Sequence, residues 1–272
     1  MSDRYCVFGN PVGHSRSPAI HAAFAAACHQ DLVYEAILAP QEGFAACVRA
    51  FVATGGRGAN VTVPFKQEAC RLATRLTQRA RLAGAVNTLS FDGADWLGDN
   101  TDGAGLLRDL THNLGCPIAG RRVLLLGAGG AARGVLGPLL DAAPSRLLIA
   151  NRSLATANEL AGRMAGAGNV GACAYAQLAG ECFDLVINAT SASLAGDSLP
   201  LPDGLFAPGS LAYDMMYGQG QTPFLRLTGS LGATRLADGL GMLVEQAAEA
   251  FHLWRGLRPE TAPVLAMLRD GR

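Results

Sequence analysis

The sequence predicts an α/β protein of two domains, and three observations carry that prediction. Its 272 residues, at about 150 per domain, make room for two cores. From the N-terminus onward, short apolar strand-like runs alternate with helical ones, which is the pattern of a mostly parallel sheet. In mid-chain an apolar run, residues 121–126, leads directly into a glycine-rich turn and then a helix, the entry to a Rossmann dinucleotide-binding domain.

In order, residues 4–9 (RYCVFG) read as a strand, followed by the loop NPVGHSRS and a helix from Pro18 to about Cys28. Residues 32–38 are strand-like, 42–53 helical, and 58–63 (GANVTV) form a third strand, after which Pro64 opens a helix toward Ala73. Residues 85–91 and 95–98, separated by an Asp-Gly turn, read as a hairpin. A second domain begins near Asp102, giving boundaries of 1–101 and 102–238. It contains a helix over 103–114, the buried strand 121–126, a helix after the glycine turn, a strand over 145–150, a helix over 154–165, and strands over 183–188 and 210–213. After Asp238 the chain is helical again, over 242–254 and 260–268.

Composition narrows the function. The 22 basic and 22 acidic residues cancel, which leaves no strong field for nucleic acid or an anionic membrane surface. No apolar run approaches the ~18 residues of a membrane span, and the N-terminus MSDRYCVFGN lacks the apolar core of a secretory signal. Seven cysteines, odd in number, widely spaced and without a CxxC, predict reduced thiols and a cytoplasmic location. His14, His21, His29, His112 and His252 have no metal-ligand spacing and read as loop or surface residues, with His14 near any substrate. No metal is expected. No pattern speaks to oligomeric state, so a homodimer is left open.

The glycine turn, Gly127-Ala128-Gly129-Gly130-Ala131-Ala132, is GxGxxA between a strand and a helix. The first glycine permits the tight turn, the second lets backbone approach a pyrophosphate, and Ala132 allows close helix–strand packing. An NAD site would place an acid about 20 residues on, for the ribose 2′-hydroxyl. Here the next strand ends in Asn151-Arg152-Ser153, without an acid, and Arg152 suits a 2′-phosphate, which favours NADP. Asn151 and Ser153 could equally be helix-capping residues, an alternative that leaves Arg152 unexplained.

All but one of the basic residues are arginine; the exception is Lys66. Lysine can transfer a proton where arginine cannot. Lys66 also falls in a first helical turn, where the macrodipole disfavours a cation, so a catalytic role is expected rather than a solvated surface one. Asp102, in the loop GDNTDG, is a helix cap when read alone. Paired with Lys66 it completes a set for carbonyl reduction: an amine to donate the proton and a carboxylate to hold the amine.

Together the segments FGNPVGHSRSPAIH, GANVTVPFK, LAGAVNTL, GDNTDG, GAGGAARGV, NRS, INATS, YDMMYG and DGLGMLVEQAAEAF resemble the shikimate dehydrogenase family, in family order and over almost the whole chain. The resemblance implies reversible reduction of 3-dehydroshikimate to shikimate with NADPH, in aromatic amino acid biosynthesis. It implies an N-terminal substrate domain to which helices in 239–272 return, a Rossmann domain, and a reaction in the cleft between them. By the same resemblance Lys66 and Asp102 are catalytic. Ser15 and Ser17 hold the substrate carboxylate, and Thr62, Asn87 and Asp102 the ring hydroxyls. Tyr217 and Gln246 complete the substrate contacts.

On the cofactor side the resemblance implies Gly127, Ala128, Gly129, Gly130 and Ala131 for the pyrophosphate. It gives Asn151, Arg152, Ser153 and Thr156 for the 2′-phosphate, and Ala189, Thr190, Ser191, Met215 and Gly239 for the nicotinamide side. Two features depart from the family. Gln78 stands where an acidic residue near the cofactor is usual, and the loop beyond Ser191 is longer than the usual pattern, so 192–209 carries no assignment. Helix capping is the structural alternative for Ser17 before Pro18, and a buried amide for Gln246, which shares a stripe with Met242, Ala250 and Leu253. Two other functions compete: a quinate/shikimate dehydrogenase using NAD, opposed by Arg152, and a non-catalytic NADP-binding sensor, opposed by the intact Lys66–Asp102 set.

Overall fold

A computed structural model describes residues 2–164, 166–190 and 198–271. The chain divides into two compact units, residues 1–105 with 243–271, and residues 106–242.

The first unit is built on a six-stranded sheet ordered β2-β1-β3-β5-β6-β4. Its strands are β1 (Asp3–Gly9), β2 (Leu32–Leu38), β3 (Gly56–Val61), β4 (Arg75–Leu76), β5 (Thr88–Asp92) and β6 (Asp95–Asp99). β2, β1 and β3 are mutually parallel and β4 is parallel to β6, while β5 runs antiparallel to both neighbours. The expected Asp-Gly hairpin thus joins β5 and β6 and makes the sheet mixed. The helices are α1 (Ser17–Ala27), α2 (Phe44–Ala53), α3 (Lys66–Leu72) and α4 (Gln78–Ala83). Alternation along β1 sends Cys6 and Phe8 to one face, where Phe8 meets Phe44 and Phe51 edge-on. Tyr5, on the other face, stacks on Trp254 at 4.7 Å.

Three local expectations fail. Pro64 is not the first residue of a helix: residues 62–65 form a turn closed by the Phe65 N–H on the Thr62 carbonyl at 3.0 Å, and α3 begins at Lys66. Ser17 is not an N-cap: Arg16 occupies that position without a side-chain cap, and Ser17 is the first helical residue. His21 is not a loop or surface histidine. It is 1% exposed and stacks on Tyr34 at 4.2 Å, with Phe24, Phe251 and Trp254 around it.

The second unit holds a six-stranded parallel sheet ordered β12-β11-β10-β7-β8-β9. Its strands are β7 (Arg122–Leu126), β8 (Arg146–Asn151), β9 (Val170–Ala174), β10 (Phe183–Asn188), β11 (Phe206–Asp214) and β12 (Arg235–Asp238). With β7 counted first, this is the doubly wound order 3-2-1-4-5-6, whose direction reverses between β7 and β10. Val123 and Leu125 enter one core and Leu124 and Leu126 another, on opposite faces. Burial on both sides is why β7 reads as an unbroken apolar run. The helices are α5 (Asp102–Arg108, whose residues the two units share), α6 (Gly130–Asp141), α7 (Leu154–Gly162) and α8 (Pro223–Ser230). The helix expected over 103–114 widens at 109–113, where Asp109 accepts hydrogen bonds from Tyr213 and Asn113. The chain ends with α9 (Leu240–Arg255) and α10 (Ala262–Asp270). Among the described residues no helix is long and apolar enough to cross a membrane.

Candidate active site

In the first unit the predicted substrate residues gather at one end of the sheet. The parallel strands β1 and β3 end there, antiparallel β5 begins there, and β6 ends there. Ligands of open α/β sheets bind at this carboxyl edge. Ser15 and Ser17 follow β1, Thr62 and Lys66 follow β3, Asn87 precedes β5, and Asp102 follows β6.

Lys66 and Asp102, 36 positions apart, meet: Nζ donates to Oδ2 at 2.6 Å. Lys66 is the first residue of α3, as the dipole argument required, and its side chain is 26% exposed against 10% for Asp102. The Asp102 carboxylate is therefore not spent on capping. Its second oxygen accepts from Asn87 Nδ2 at 2.8 Å.

Asn87 is 3% exposed and saturated. Its Nδ2 also reaches Thr101 Oγ1 (2.9 Å) and Gln246 Oε1 (3.3 Å), and its Oδ1 accepts from the Thr101 N–H (2.8 Å) and Thr88 Oγ1 (2.9 Å). Gln246 Nε2 donates to the Leu243 carbonyl at 2.8 Å, so the structural alternative for this amide accounts for part of its bonding. Thr62 makes no side-chain hydrogen bond among the described residues. Its methyl packs on Gly9, where a Cβ would lie 2.5 Å from it.

Ser15 and Ser17 form a second cluster, in which Ser15 Oγ accepts the Ser17 N–H at 3.3 Å. The Ser17 hydroxyl lies beside the Tyr34 phenol, which donates to Asn60 Oδ1 at 2.7 Å. Asn60 Nδ2 in turn donates to the Asn87 carbonyl (3.2 Å) and Thr88 Oγ1 (3.0 Å). The two clusters are thus joined through Tyr34 and Asn60. Burial pushes the Tyr34 phenol well above its ordinary range, so it serves as a neutral donor. Tyr34 sits within an unremarkable strand and carries no motif; Thr101 lies inside GDNTDG and could have been found by asking what holds Asp102.

In the second unit Gly127 has φ +101°, and a Cβ there would lie 2.9 Å from Thr190 Cγ2. Among the described residues, Gly129 caps α6 with no side-chain cap, and nothing lies within 4 Å of a Cβ built at Gly129 or Gly130. Ala132 is fully buried. A helix N-terminus that no side chain caps among the described residues, opening on two glycines, fits a pyrophosphate. Asn151 Nδ2 donates to the Ser153 carbonyl, and Ser153 Oγ caps α7 by accepting from the Thr156 N–H and hydroxyl. The capping alternative therefore accounts for Asn151 and Ser153. Arg152 is exposed and makes no ion pair among the described residues.

Ala189 and Thr190 follow β10, the latter held by Asn188 Oδ1 at 3.0 and 2.7 Å. Ser191 and residues 192–197 lie outside the described residues. Asp214, ending β11, accepts from Asn188, Thr222 and the Met216 N–H; burial pushes its carboxyl up. Gly239 packs on Met215, where a Cβ would lie 2.2 Å from the Met215 carbonyl oxygen. Tyr217 lies in the loop after β11, and Gln78 is the first residue of α4.

The doubly wound sheet, its glycine turn and a largely buried Lys–Asp pair at the carboxyl edge of a second sheet define an α/β protein of the dinucleotide-dependent dehydrogenase class. Family models match residues 7–89 as a shikimate dehydrogenase substrate binding domain, 109–195 as shikimate/quinate 5-dehydrogenase, and 239–269 as a shikimate 5′-dehydrogenase C-terminal domain. Shikimate dehydrogenase (NADP(+)) of Dechloromonas aromatica (strain RCB) is 66% identical, over 99% of this chain and 98% of its own. A solved Ael1 enzyme from Pseudomonas putida is 51% identical with a TM-score of 0.93, covering 98% of each chain. Shikimate 5-dehydrogenase of Thermus thermophilus, solved with NADP(H) and shikimate, is 32% identical with a TM-score of 0.87, covering 99% of this chain and 100% of its own. The chain belongs to the shikimate dehydrogenase family.

Proposed function

We infer that this chain interconverts 3-dehydroshikimate and shikimate with NADP as cofactor, and that Lys66 and Asp102 manage the proton. The observation that carries the assignment of roles is the 2.6 Å pair between the one lysine and a carboxylate 36 residues away. NADP, when bound, supplies or accepts the hydride. In reduction the Lys66 ammonium gives a proton to the carbonyl oxygen as it becomes a hydroxyl; in oxidation the amine takes it back. Asp102 holds Nζ in place and Asn87 holds Asp102, so the amine is aimed before substrate arrives.

Ser15 and Ser17 take the substrate carboxylate, with Ser17 oriented by Tyr34. The Thr62 hydroxyl, without a side-chain hydrogen bond among the described residues, takes a ring hydroxyl, and Gln246 and Tyr217 complete the contacts. Gly127 to Ala131 receive the pyrophosphate and Ala189, Thr190, Ser191, Met215 and Gly239 the nicotinamide side. Arg152, exposed and without an ion pair among the described residues, takes the 2′-phosphate, while Asn151, Ser153 and Thr156 shape the turn that presents it. A cytoplasmic location is supported by seven free thiols.

Initial rates with shikimate and quinate, each with NADP+ and NAD+, test this reading. The shikimate–NADP+ pair should be fastest. Faster turnover of quinate with NAD+ would move the assignment to the quinate enzymes, and NADPH binding without turnover would make the chain a sensor.

A further inference from the structure

Behind Asp102 lies a second charged cluster. Asp99, the last residue of β6, is 1% exposed. Its Oδ1 accepts from Thr77 Oγ1 (2.5 Å), Arg79 Nε (2.7 Å) and the Asn100 N–H (2.7 Å), and its Oδ2 accepts from Arg79 Nη2 (2.5 Å). The loop that follows is clamped one amide at a time. The Asn100 N–H goes to Asp99, the Thr101 N–H to Asn87 Oδ1 and the Asp102 N–H to Asn100 Oδ1, while Asn100 Nδ2 donates to the Ala85 carbonyl. Asp99 is thus the anchor of the chain of acceptors that ends at Asp102.

Arg79 has a second arm. Its Nη1 donates to Glu249 Oε1 at 3.0 Å, and Glu249 also pairs with Arg258. Glu249 lies three residues after Gln246 on α9, so the two share a helix face, and Gln246 is the residue that meets Asn87 and Thr101. One planar guanidinium, half-buried, thereby joins the loop carrying Asp102 to the helix carrying Gln246. Lysine could not make this fork, since it lacks the two-edged donor geometry.

We propose that Arg79 is a positioning residue for the reaction, setting Asp102 through Asp99 and Gln246 through Glu249. The proposal rests on the roles given above to Asp102 and Gln246. A misplacement of about 1 Å in a catalytic group can cost a hundredfold in rate, so the expected effects are large for a residue that touches no substrate.

The test measures kcat, the shikimate KM and the NADP+ Kd for Arg79→Gln, Arg79→Lys, Glu249→Gln, Asp102→Asn and the Arg79→Gln/Asp102→Asn double variant, with circular dichroism on each. For Arg79→Gln the expected result is a kcat about 10- to 100-fold lower and a raised shikimate KM, at unchanged NADP+ Kd. Arg79→Lys should recover part of kcat. Glu249→Gln should raise the shikimate KM with little loss of kcat. In the Asp102→Asn background Arg79→Gln should cost less than about threefold, because it acts through that carboxylate.

Full additivity of the two changes, or normal kcat and KM in Arg79→Gln, would overturn the proposal. Should Arg79→Gln not fold, Arg79→Lys and Glu249→Gln decide by the same KM and kcat criteria. An active Asp102→Asn would instead overturn the catalytic reading beneath it, which is a separate outcome.

Discussion

Between pH 7 and pH 5, acid should destabilise the first unit chiefly through His21, since the unit's carboxylates titrate lower. Burial pushes its imidazole down from 6.5 to about 3, the nearby Asn60 side chain opposing weakly. The folded state therefore binds a proton less readily than the unfolded state. Its contribution to stability is full above the unfolded value and falls as pH drops below it, at about 1.4 kcal/mol per pH unit. From 6.5 to pH 5 the loss is about 2 kcal/mol, a large share of a marginal stability. His21→Phe keeps a ring against Tyr34 and removes the proton site. Both tryptophans, Trp96 and Trp254, lie in the first unit, so urea unfolding followed by tryptophan fluorescence reports on that unit. Wild type should lose about 2 kcal/mol relative to His21→Phe between pH 7 and pH 5. Parallel pH dependences for the two proteins would mean that His21 protonates in place, and the reasoning from burial would fail.

Arg152→Ala should raise the NADP+ KM about 10- to 150-fold, by loss of a charge-assisted pair, and leave the poor NAD+ rate nearly unchanged; equal effects on both cofactors would place the 2′-phosphate elsewhere. Ser15→Ala should weaken shikimate binding while NADP+ titrates normally, and loss of thermal stability as the main effect would mark Ser15 as a support for the Ser17 amide only. Gly127→Ala should cost more than about 1 kcal/mol and abolish NADP+ binding, because the residue needs a positive φ and its Cβ would meet Thr190; a variant with normal cofactor affinity contradicts that geometry.

Much of the architecture was legible where physics acts locally. β7 announced itself by an apolar run that only burial on both faces explains, and the glycine turn by its place between strand and helix. What escaped depended on distant partners. β4 and β12 are short edge strands that exist because a neighbour offers its backbone, so no periodicity betrays them. Pro64 sits in a turn that a sequence cannot tell from a helix start. His21 looks like any loop-proximal histidine until Tyr34, from another element, stacks on it. The site divides in the same way. Lys66 stood out through composition and Asp102 through its motif, but the contact between them, and the Tyr34–Asn60 link to the serines, needed the fold.

The central claim is that Lys66 moves a proton rather than merely carrying charge, and Lys66→Arg tests it most directly. Arginine keeps the positive charge beside Asp102 but cannot release a proton near neutral pH. Steady-state rates of shikimate oxidation, with circular dichroism and NADP+ affinity as controls, should show Lys66→Arg falling at least about 10²-fold, close to Lys66→Ala, with fold and cofactor binding intact. A Lys66→Arg enzyme that retains most of its turnover would contradict the account and send the proton through another group.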